Sequence, residues 1–588
     1  MFAPGSVLLH DTLAPAGENL LFTGPRDILV AHDAAGVAAA LQQLEEARGA
    51  GLHAAGFLAY ELGFVFEERL ARLLPPPGPA PLLWLGLYDA PERLTAAEVD
   101  ARLAGPARGV AIDIAPRMDE VTYVRAFDQV KALIAAGDTY QVNLTFKAGF
   151  RLEGDPVALY RDLVAKQPVA YGALINTGEQ WILSRSPELF VSSRDGMLAA
   201  RPMKGTLKRG RTLAEDEAGR VALAGDEKNR AENLMIVDLL RNDLGRIAEI
   251  GTVKVTDLFT VETYSTLHTM TSGISARRRP GVTTADVLAN LFPCGSITGA
   301  PKLRAMEIIH QVEAGPRGVY TGSIGHFSPN GNLTLNVAIR TAVIDKDGNG
   351  EIGIGGGIVA DSIAADEYRE ALLKMAFFTE PAREVTLIET LLWDRADGYD
   401  LLDRHLDRLA ASAAYFALPF DRPAITALLE SQSFPEARMR VRLTLDASGP
   451  AVTSIPLPPN PLVFRFAIAP ERLDSQSLWL MHKTTNRAFY DEPRQRAHAE
   501  QGVDEVLFLN ERGELTEVSI TSLFVERGGI LLTPPLSSGL LPGTLRAELL
   551  ATGKAEEQVL TLDDLEGAEA IWLGNSVRGL IRAEWAKE

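Results

Sequence analysis

A lysine and a glutamate in constrained local settings are the first candidates for chemistry in this chain. Lys204 stands in Arg201-Pro-Met-Lys-Gly-Thr206, where proline and glycine limit the backbone geometry around it. Glu188 lies 16 residues upstream, in the apolar stretch Ser186-Pro-Glu-Leu-Phe190. Such a pair is also compatible with a surface ion pair. The acidic and glycine-rich segments that follow favour instead a site for a polyanionic substrate.

Two acidic segments downstream could supply metal ligands. The first, 226–246, has the pattern of an amphipathic helix with acids and bases on its polar side. The second carries Glu367, Glu370 and Lys374 at spacings i, i+3 and i+7, which place them on one helix face. Two carboxylate helices that meet over a cleft would hold a hard cation such as Mg²⁺. Solvated helices with salt bridges have similar sequences, so that alternative stays open.

The glycine-rich segments do not match nucleotide-binding loops. The run at 353–362 lacks the last glycine of G-x-G-x-x-G, because Ile358 stands at that position. The segment 294–302 lacks the adjacent Gly-Lys-Ser/Thr of a phosphate-binding loop. Neither segment therefore predicts a nucleotide site.

The composition excludes several classes of function. A net charge of -19 argues against nucleic acid or an anionic membrane as the main partner, because both would need a basic surface. The single cysteine, Cys294, allows no disulfide within the chain and no cysteine cluster for zinc. The sequence has no uninterrupted apolar span of about 18 residues and does not start with a basic region followed by an apolar run. We therefore expect a cytoplasmic protein.

The order of strand-like and helical patterns predicts an α+β protein with more than one domain. Its 588 residues suffice for several core-forming units. Residues 1–115 mix short strand-like runs with a helical segment and show no catalytic pattern. Residues 116–380 alternate strands with long helices, and a new strand pattern begins after a boundary near 381. We expect 381–588 to form a separate domain.

Four segments, in order, carry a resemblance to a known family. They are Pro202-Met-Lys-Gly-Thr206, Ala231-Glu-Asn-Leu-Met-Ile-Val-Asp-Leu-Leu-Arg-Asn-Asp243, Phe292-Pro-Cys-Gly-Ser-Ile-Thr-Gly-Ala-Pro-Lys302 and Gly355-Gly-Gly-Ile-Val-Ala-Asp-Ser362. Together they resemble the chorismate-utilising enzymes, whose fold has large antiparallel sheets with flanking helices. The resemblance implies that 1–115 is the N-terminal subdomain and that 116–380 is the chorismate-binding catalytic region.

Two positions separate the subfamilies of these enzymes. Anthranilate synthases typically have alanine where Lys204 stands, and isochorismate and salicylate synthases have a lysine base where this chain has Gln141. The chain is therefore similar above all to the aminodeoxychorismate synthases, which replace the C4 hydroxyl of chorismate by an amino group. Anthranilate synthase activity with an unusual lysine is the alternative.

The resemblance implies a covalent route for the amination. Lys204 attacks C2 of chorismate, and the C4 hydroxyl departs in an allylic displacement. Glu188, kept protonated by its apolar neighbours, is the acid for that hydroxyl. Ammonia then adds at C4 and expels the lysine.

The same resemblance implies a metal and a set of substrate contacts. Glu232 and Glu370 bind Mg²⁺ against the ring carboxylate, with Glu367 as nearby support. Arg340 is the best carboxylate carrier, because a guanidinium grips a carboxylate in bidentate fashion. The implied substrate-binding residues are Gln141, His268, Thr298, Tyr320, Arg340, Gly355, Gly356, Gly357 and Lys374.

A second set of segments lies beyond residue 381. In order, they are Asp403-Arg-His-Leu-Asp-Arg408, Met481-His-Lys-Thr-Thr-Asn-Arg487, Glu514-Leu-Thr-Glu517 and Gly539-Leu-Leu-Pro-Gly-Thr-Leu-Arg546. Each is weak alone, but in this order they resemble the fold type IV pyridoxal phosphate enzymes. That group contains aminodeoxychorismate lyase and the branched-chain and D-amino acid transaminases. The resemblance implies a two-lobed α/β domain over 381–588.

Each of these segments has an implied role toward pyridoxal 5'-phosphate. Lys483 forms the covalent link to the cofactor and later moves a proton, and Glu517 pairs with the pyridinium nitrogen. Arg408 and Thr544, which lies in a turn leading into a helix, suit the phosphate. Arg578, near the end of the chain, could meet a substrate carboxylate.

The two resemblances together predict a bifunctional enzyme that makes 4-aminobenzoate for folate. The first part would make 4-amino-4-deoxychorismate, and the second would release pyruvate from it. A transaminase or a non-catalytic module in the second part is the alternative. Because no glutaminase pattern is found, a separate glutamine amidotransferase subunit is the expected ammonia source. The type IV resemblance also implies a homodimer.

Overall fold

The chain forms two units, each with its own sheets. The computed structural model describes residues 2–13, 19–78, 80–264, 267–380 and 385–587. The first unit comprises Met1–Lys208 and Arg220–Arg383, and the second comprises Arg209–Gly219 and Glu384–Glu588. The predicted boundary near residue 381 lies outside the described residues, and the predicted division at residue 115 stays a prediction.

The first unit is built on strands that pair into two large sheets. The strands are β1 (Ser6–His10), β2 (Asn19–Phe22), β3 (Asp27–Ala31), β4 (His53–Leu58), β5 (Leu83–Tyr88), β6 (Glu92–Leu94), β7 (Gly109–Pro116), β8 (Gln141–Gly154), β9 (Tyr171–Asn176), β10 (Gln180–Ser186), β11 (Leu189–Arg194), β12 (Met197–Arg201), β13 (Met203–Lys208), β14 (Lys254–Thr263), β15 (Leu267–Arg277), β16 (Gly299–Ala300), β17 (Ser323–Phe327), β18 (Leu333–Asn336), β19 (Thr341–Asp345) and β20 (Asn349–Ile358).

The helices before residue 381 lie between these strands in sequence. They are α1 (Ala34–Gly49), α2 (Ala96–Leu103), α3 (Glu120–Ala135), α4 (Pro156–Lys166), α5 (Leu213–Gly225), α6 (Glu227–Gly245), α7 (Thr284–Leu291), α8 (Lys302–Val312), α9 (Ala364–Leu373) and α10 (Ala376–Thr379). The acidic helix α6 begins after Asp226, whose side chain accepts a hydrogen bond from the amide of Asn229. This N-cap satisfies one of the free amides at the start of the helix.

Both sheets of the first unit have ten strands, and the described pairings are antiparallel. One sheet has the order β16-β8-β20-β19-β10-β9-β1-β2-β6, with β7 paired to β8. The other has the order β13-β15-β12-β11-β18-β17-β4-β5-β3, with β14 paired to β15. Buried side chains such as Leu144, Leu198 and Ile236 join strands and helices in one core. The predicted large antiparallel sheets with flanking helices are confirmed.

The glycine run at 353–357 lies inside a strand. It belongs to β20, which pairs with β8 along its whole length, from Asn349 opposite Arg151 to Ile358 opposite Val142. This register places the last glycines beside the first residues of β8. Because glycine has no side chain, two strands and the groups above them can approach closely there.

The second unit has a small and a large sheet. Its strands are β21 (Leu387–Asp394), β22 (Gly398–Tyr399), β23 (Arg438–Asp446), β24 (Gly449–Pro456), β25 (Phe464–Leu473), β26 (Glu505–Asn510), β27 (Leu515–Val518), β28 (Ser522–Arg527), β29 (Ile530–Thr533), β30 (Ala555–Glu557), β31 (Ala570–Asn575) and β32 (Gly579–Trp585). Its helices beyond residue 384 are α11 (Leu402–Phe416), α12 (Arg422–Glu430), α13 (Ala488–Gln501), α14 (Thr544–Ala551) and α15 (Leu562–Glu566).

The two sheets of this unit form two lobes with separate cores. The small sheet, β22-β21-β23-β24, is antiparallel and packs its apolar side chains with those of α11 and α12. The large sheet, β27-β26-β25-β32-β31-β28-β29-β30, is mixed, with parallel pairs such as β25 with β26. The predicted two-lobed α/β domain is confirmed. Within the described residues, no helix combines the length and the apolar character needed to cross a membrane.

Candidate active sites

Lys204 lies on β13 at the edge of the first unit's second sheet. The strand has an irregularity between Met203 and Thr206, so Lys204 lies outside the regular register. Its Nζ is 2.8 Å from Oε2 of Glu232 on α6. Gly205 makes this approach possible, because a Cβ there would lie 2.8 Å from Oδ1 of Asn229 on the same helix. Strand β13 and helix α6 thus bring together two residues 28 positions apart in sequence.

The glycines of β20 lie against the charged groups. A Cβ on Gly357 would lie 2.9 Å from Nζ of Lys204 and 3.1 Å from Nε2 of Gln141. A Cβ on Gly356 would lie 3.1 Å from Oε2 of Glu367. The glycines therefore leave space beside the lysine and the carboxylate that a side chain would fill.

Gly355 does not open space for a ligand, but contacts strand β8 and Lys374. A Cβ on Gly355 would meet the backbone of β8, 2.4 Å from the carbonyl oxygen of Leu144. Gly355 therefore permits close strand pairing, while its carbonyl accepts a 3.0 Å hydrogen bond from Nζ of Lys374. That Nζ is also 2.9 Å from Oε1 of Glu370. The predicted shared face of α9 is confirmed by this pair.

Glu188 is the buried acid of the first unit. Its Oε1 accepts a 2.7 Å hydrogen bond from the hydroxyl of Ser296, and the amide of Met203 also donates to it. Burial raises the pKa of Glu188 to about 7, so a large part of it is protonated near neutral pH. The backbone of β13 next to Lys204 thus contacts the buried acid, and a shared site for the two residues stays a prediction. Sequence reasoning missed Ser296, although it lies in the segment that carries the family resemblance.

The carboxylates of α6 and α9 are the candidate metal ligands. Glu232 pairs with Lys204, Glu370 with Lys374, and Glu367 accepts a hydrogen bond from the hydroxyl of Ser362. Burial raises the pKa of Glu367, whereas Lys374 lowers the pKa of Glu370. The described part of the chain contains no group of three or more His, Cys, Asp or Glu that could hold a metal ion. The donors therefore fit only a site in which one or two carboxylates share Mg²⁺ with substrate or water oxygens.

Arg340 is a cation without a full set of partners. The residue is half-buried, has a positive φ of 50°, and its buried Nη1 has no hydrogen-bond partner among the described residues. Burial lowers the pKa of Arg340 to about 10. A buried guanidinium in this state is stabilised by an anion, as the predicted carboxylate contact requires.

The other predicted substrate contacts lie on nearby strands and loops, and their roles stay predictions. The ring of Tyr320 packs against Gly353 of β20, and the hydroxyl of Thr298 donates to the carbonyl of Gly295. His268 is buried on β15, where it is paired with Leu207 of β13, and its Nδ1 is 3.0 Å from Oγ1 of Thr263. The hydroxyl of Thr298 is thus engaged within its own loop.

In the second unit, all five predicted residues line one cavity. Its volume is about 520 Å³, enough for a ligand of cofactor size. The predicted residues in its wall are Lys483, Glu517, Arg408, Thr544 and Arg578.

Lys483 is the half-buried amine of this cavity. Its carbonyl accepts a 2.8 Å hydrogen bond from the amide of Ile388, which fixes the backbone at the end of β21. Burial, with the nearby cations Arg408 and Arg487, lowers the pKa of Lys483 to about 8. A much larger share of this amine is therefore neutral near pH 7 than in an exposed lysine.

Glu517 is a buried acid in the wall of the same cavity. Its Oε1 accepts hydrogen bonds from the hydroxyl of Tyr490 at 2.5 Å and from the amide of Leu541 at 2.7 Å. Burial raises the pKa of Glu517 to about 7. A carboxyl group of this kind can share a proton with a ring nitrogen.

Arg408 is part of a buried network that sequence reasoning missed in part. Its guanidinium makes hydrogen bonds of 2.9 and 2.6 Å to the two carboxylate oxygens of Glu389. Nδ1 of His405 is 2.6 Å from the same carboxylate, and its Nε2 is 2.9 Å from Oγ of Ser576 and 3.3 Å from Oγ1 of Thr544. Burial by itself raises the pKa of Glu389, but Arg408 and His405 bring it down to about 2. His405 lies one helical turn before the predicted residue Arg408 on α11, so its position could have been anticipated. The sequence around Glu389 and Ser576 gives no indication of their role in this network.

These residues fit the parts of pyridoxal phosphate. Lys483 would supply an amine for the aldehyde, and Glu517 would supply a carboxyl group for the ring nitrogen. Arg408 and Thr544, the first residue of α14, supply a cation and a helix N-terminus for the phosphate. Arg578 lies in the same wall, where its Nη1 donates to Oδ1 of Asn460 at 3.0 Å.

Comparison with known proteins assigns a family to each part of the chain. Residues 14–380 match the model of the chorismate binding enzyme family, and residues 386–584 match that of the amino-transferase class IV family. The first match covers more than half of the chain. The class IV match implies pyridoxal phosphate as cofactor.

Individual relatives are similar to the first part. Aminodeoxychorismate synthase of Streptomyces griseus is 45% identical over 261 residues, which are 44% of this chain and 36% of that protein. Aminodeoxychorismate synthase component 1 of Klebsiella aerogenes is 39% identical over 341 residues, 55% of this chain and 75% of that protein. The chain thus spans about a third of the first relative's length.

A solved structure supports the same assignment. Anthranilate synthase component I of Streptococcus pneumoniae superposes with a TM-score of 0.53 and 27% identity, covering 62% of this chain and 92% of that one. The buried acid, the lysine and the glycine strand all lie within the matched residues. The chain therefore belongs to the chorismate binding enzymes, and this part is followed by a class IV amino-transferase domain.

Proposed function

We propose that the first unit aminates chorismate at C4 and that the second unit releases pyruvate from the product to give 4-aminobenzoate. The observation that carries the first step is the position of Lys204 beside Gln141 and Gly357, on a strand whose Met203 amide donates to the buried acid Glu188. The similarity to aminodeoxychorismate synthases supports this choice of reaction.

The first step uses Lys204 and Glu188 in complementary roles. The amine of Lys204 forms a bond to C2 while the ring double bond shifts and the C4–oxygen bond breaks. Glu188 gives its proton to the departing hydroxyl, which leaves as water. Ammonia then forms a bond to C4, the double bond shifts back, and the C2–nitrogen bond breaks, which returns Lys204 to its free state.

Mg²⁺ is the proposed metal of the first step. Glu232 and Glu370 would hold it with the ring carboxylate of the substrate, and Glu367 would support them. The metal would supply positive charge against that carboxylate. Arg340 would bind the second carboxylate of chorismate, since it has a buried donor without a partner.

The second step uses Lys483 and Glu517. When bound, pyridoxal phosphate supplies an electron sink for bond cleavage next to the substrate amine. Lys483 would take the proton from C4, because burial and the nearby cations make a larger share of its amine neutral than in an exposed lysine. Glu517 would hold the ring nitrogen, and Arg408 and Thr544 would hold the phosphate. Loss of pyruvate from C3 leaves an aromatic ring.

A separate glutamine amidotransferase is the proposed ammonia source. Burial raises the pKa of the only thiol, Cys294, to about 12, so this cysteine is not a nucleophile near neutral pH. Ammonia for the C4 position must therefore come from outside this chain. A homodimer through the second unit is a further proposal, and it rests on the type IV resemblance alone.

Anthranilate synthesis is the second candidate for the first unit. The structural similarity to an anthranilate synthase component favours it. Anthranilate synthases typically have alanine at the position of Lys204, so the lysine favours C4 amination instead.

Product analysis with chorismate, Mg²⁺ and ammonium tests the proposal. We expect 4-amino-4-deoxychorismate without pyridoxal phosphate and 4-aminobenzoate with it. Formation of 2-aminobenzoate would overturn the first assignment. Failure to convert 4-amino-4-deoxychorismate in the presence of the cofactor would favour a transaminase or a non-catalytic second unit.

A further inference from the structure

Two arginines of the small sheet line the cavity of the second unit. Arg440 and Arg442 stand on β23 and both belong to the cavity wall. Residues alternate along a strand, and their neighbours Met439, Val441 and Leu443 point into the apolar core of the small lobe. The two arginines are exposed and contribute nothing to that core. The two arginines therefore face the cavity and not the apolar core.

Neither guanidinium makes a hydrogen bond or an ion pair with the residues that the structure describes. This distinguishes them from the other arginines nearby. Arg438, two residues before Arg440 on the same face, is 3.3 Å from a carboxylate oxygen of Asp394. Arg408 forms an ion pair with Glu389. Arg440 and Arg442 are thus left available for an anionic ligand.

A third cation of the cavity lies close to them. Burial and the charge of Arg440 both lower the pKa of Arg578. The two guanidinium groups therefore repel each other across the cavity wall, and an anion between or beside them would relieve this repulsion. Arg440 and Arg442 are about 7 Å apart along the strand, since a strand rises by roughly 3.4 Å per residue. The wall can thus meet anionic groups at more than one point.

The substrate proposed for the second unit carries two carboxylates, one on the ring and one on the enolpyruvyl group. We propose that Arg440 and Arg442 bind one of these carboxylates while Arg578 binds the other. The inference rests on the proposed function and names the substrate class: an amine with two carboxylates, in preference to amino acids with one. Arg440 and Arg442 would then be specificity-determining residues.

The test uses the full chain loaded with pyridoxal phosphate and supplied with chorismate, Mg²⁺ and ammonium. In the double variant Arg440→Gln/Arg442→Gln, chorismate should disappear at the wild-type rate while 4-amino-4-deoxychorismate accumulates. We expect kcat/KM of the second step to fall about 100-fold, roughly tenfold for each charged contact, through KM rather than kcat. The absorbance of the bound cofactor should not change.

Three further measurements make the result decisive. Arg438→Gln is the matched control on the same strand face, and its KM should stay within about twofold of wild type. Arg440→Lys/Arg442→Lys should recover part of the lost kcat/KM, because lysine keeps the positive charge but cannot bind a carboxylate in bidentate fashion. If the double variant loses cofactor absorbance, the single variant Arg442→Gln with intact absorbance should still raise KM about tenfold.

Two results would overturn the inference. One is a KM within twofold of wild type in the Gln variants that retain cofactor absorbance. The other is an equal rise of KM in Arg438→Gln. A wild-type protein that does not convert 4-amino-4-deoxychorismate at all would instead overturn the proposed function, so the two failures are distinguishable.

Discussion

The two candidate lysines lie in opposite surroundings. Lys204 in the first unit is partly exposed, at 21% of its side chain, and forms a 2.8 Å ion pair with Glu232. Lys483 in the second unit is also half-buried, but it lies beside the cations Arg408 and Arg487, and desolvation together with these charges lowers its pKa to about 8. We infer that Lys204 must leave a carboxylate before it can attack, whereas desolvation and the neighbouring cations already favour the neutral amine of Lys483. The same residue type thus obtains nucleophilic character in two ways.

The arginines of the two sites also differ in how far the protein pairs them. In the second unit, Arg408 is held by both carboxylate oxygens of Glu389 and by the carbonyl of Pro542. In the first unit, Arg340 has a buried Nη1 without a partner among the described residues. Under the proposed function, the protein orients the cation for the cofactor, whereas the cation for the substrate keeps a donor for the ligand.

Replacing Lys483 should have the largest effect. In Lys483→Ala, 4-aminobenzoate formation should fall at least about 1,000-fold, because both the covalent anchor and the proton carrier are lost. The absorbance of bound cofactor should vanish and 4-amino-4-deoxychorismate should accumulate. Lys554→Ala, an exposed lysine of the same unit, is the control. Unchanged 4-aminobenzoate production would refute the assigned role.

Replacing Lys204 tests the role of the lysine in the first unit. Lys204→Ala should slow 4-amination by about 100- to 1,000-fold or divert it toward 2-amination, because the nucleophile for C2 is lost. Product analysis distinguishes these outcomes, while the cofactor absorbance of the second unit should stay unchanged. Lys208→Ala on the exposed end of β13 serves as the control. Full activity of Lys204→Ala would leave the covalent adduct without support.

Replacing Glu188 tests the acid of the first unit. Glu188→Gln should lower kcat of the amination about 100-fold, because an amide cannot protonate the leaving hydroxyl. In the wild type, the rate should fall as pH rises above about 7, since burial raises the pKa of Glu188 to that value and the acid works protonated. The variant should lack this decline. A decline that persists in Glu188→Gln would assign it to another group.

Replacing Glu389 should change stability more than chemistry. Its pKa is about 2 in the folded protein against an ordinary value of 4.5, so its ionised form stabilises the second unit above about pH 4.5. That contribution is lost as pH falls from 4.5 toward 2. Glu389→Gln should therefore cost about 3 kcal/mol at pH 7. Urea unfolding, followed by a probe in the second unit, measures it.

A matched control sharpens this prediction. Glu548 pairs with Arg404 at 2.7 Å, but both side chains are about one third exposed. Glu548→Gln should cost less than about 1 kcal/mol, because water screens such a pair. An equal loss of unfolding free energy in the two variants would show that burial does not determine how much the Glu389 network stabilises the second unit.

The local sequence was sufficient to single out the candidate residues whose placement depends on neighbours close by in the chain. Lys204 between proline and glycine, and Glu370 four residues before Lys374, are placed by backbone geometry and helix periodicity. Ser296 and Glu389 were not predicted, because their partners Glu188 and Arg408 are far away in sequence. A serine or a buried glutamate has no periodic signal of its own.

The sequence by itself determined the two families, the α+β class and the identity of both lysines, because ordered motifs preserve residue types and spacing. Only the tertiary structure decided what surrounds each lysine. A strand irregularity and Gly205 bring Lys204 to Glu232, and burial beside Arg408 lowers the pKa of Lys483. Desolvation and Coulomb interactions depend on distances between segments remote in sequence, which spacing along the chain does not contain.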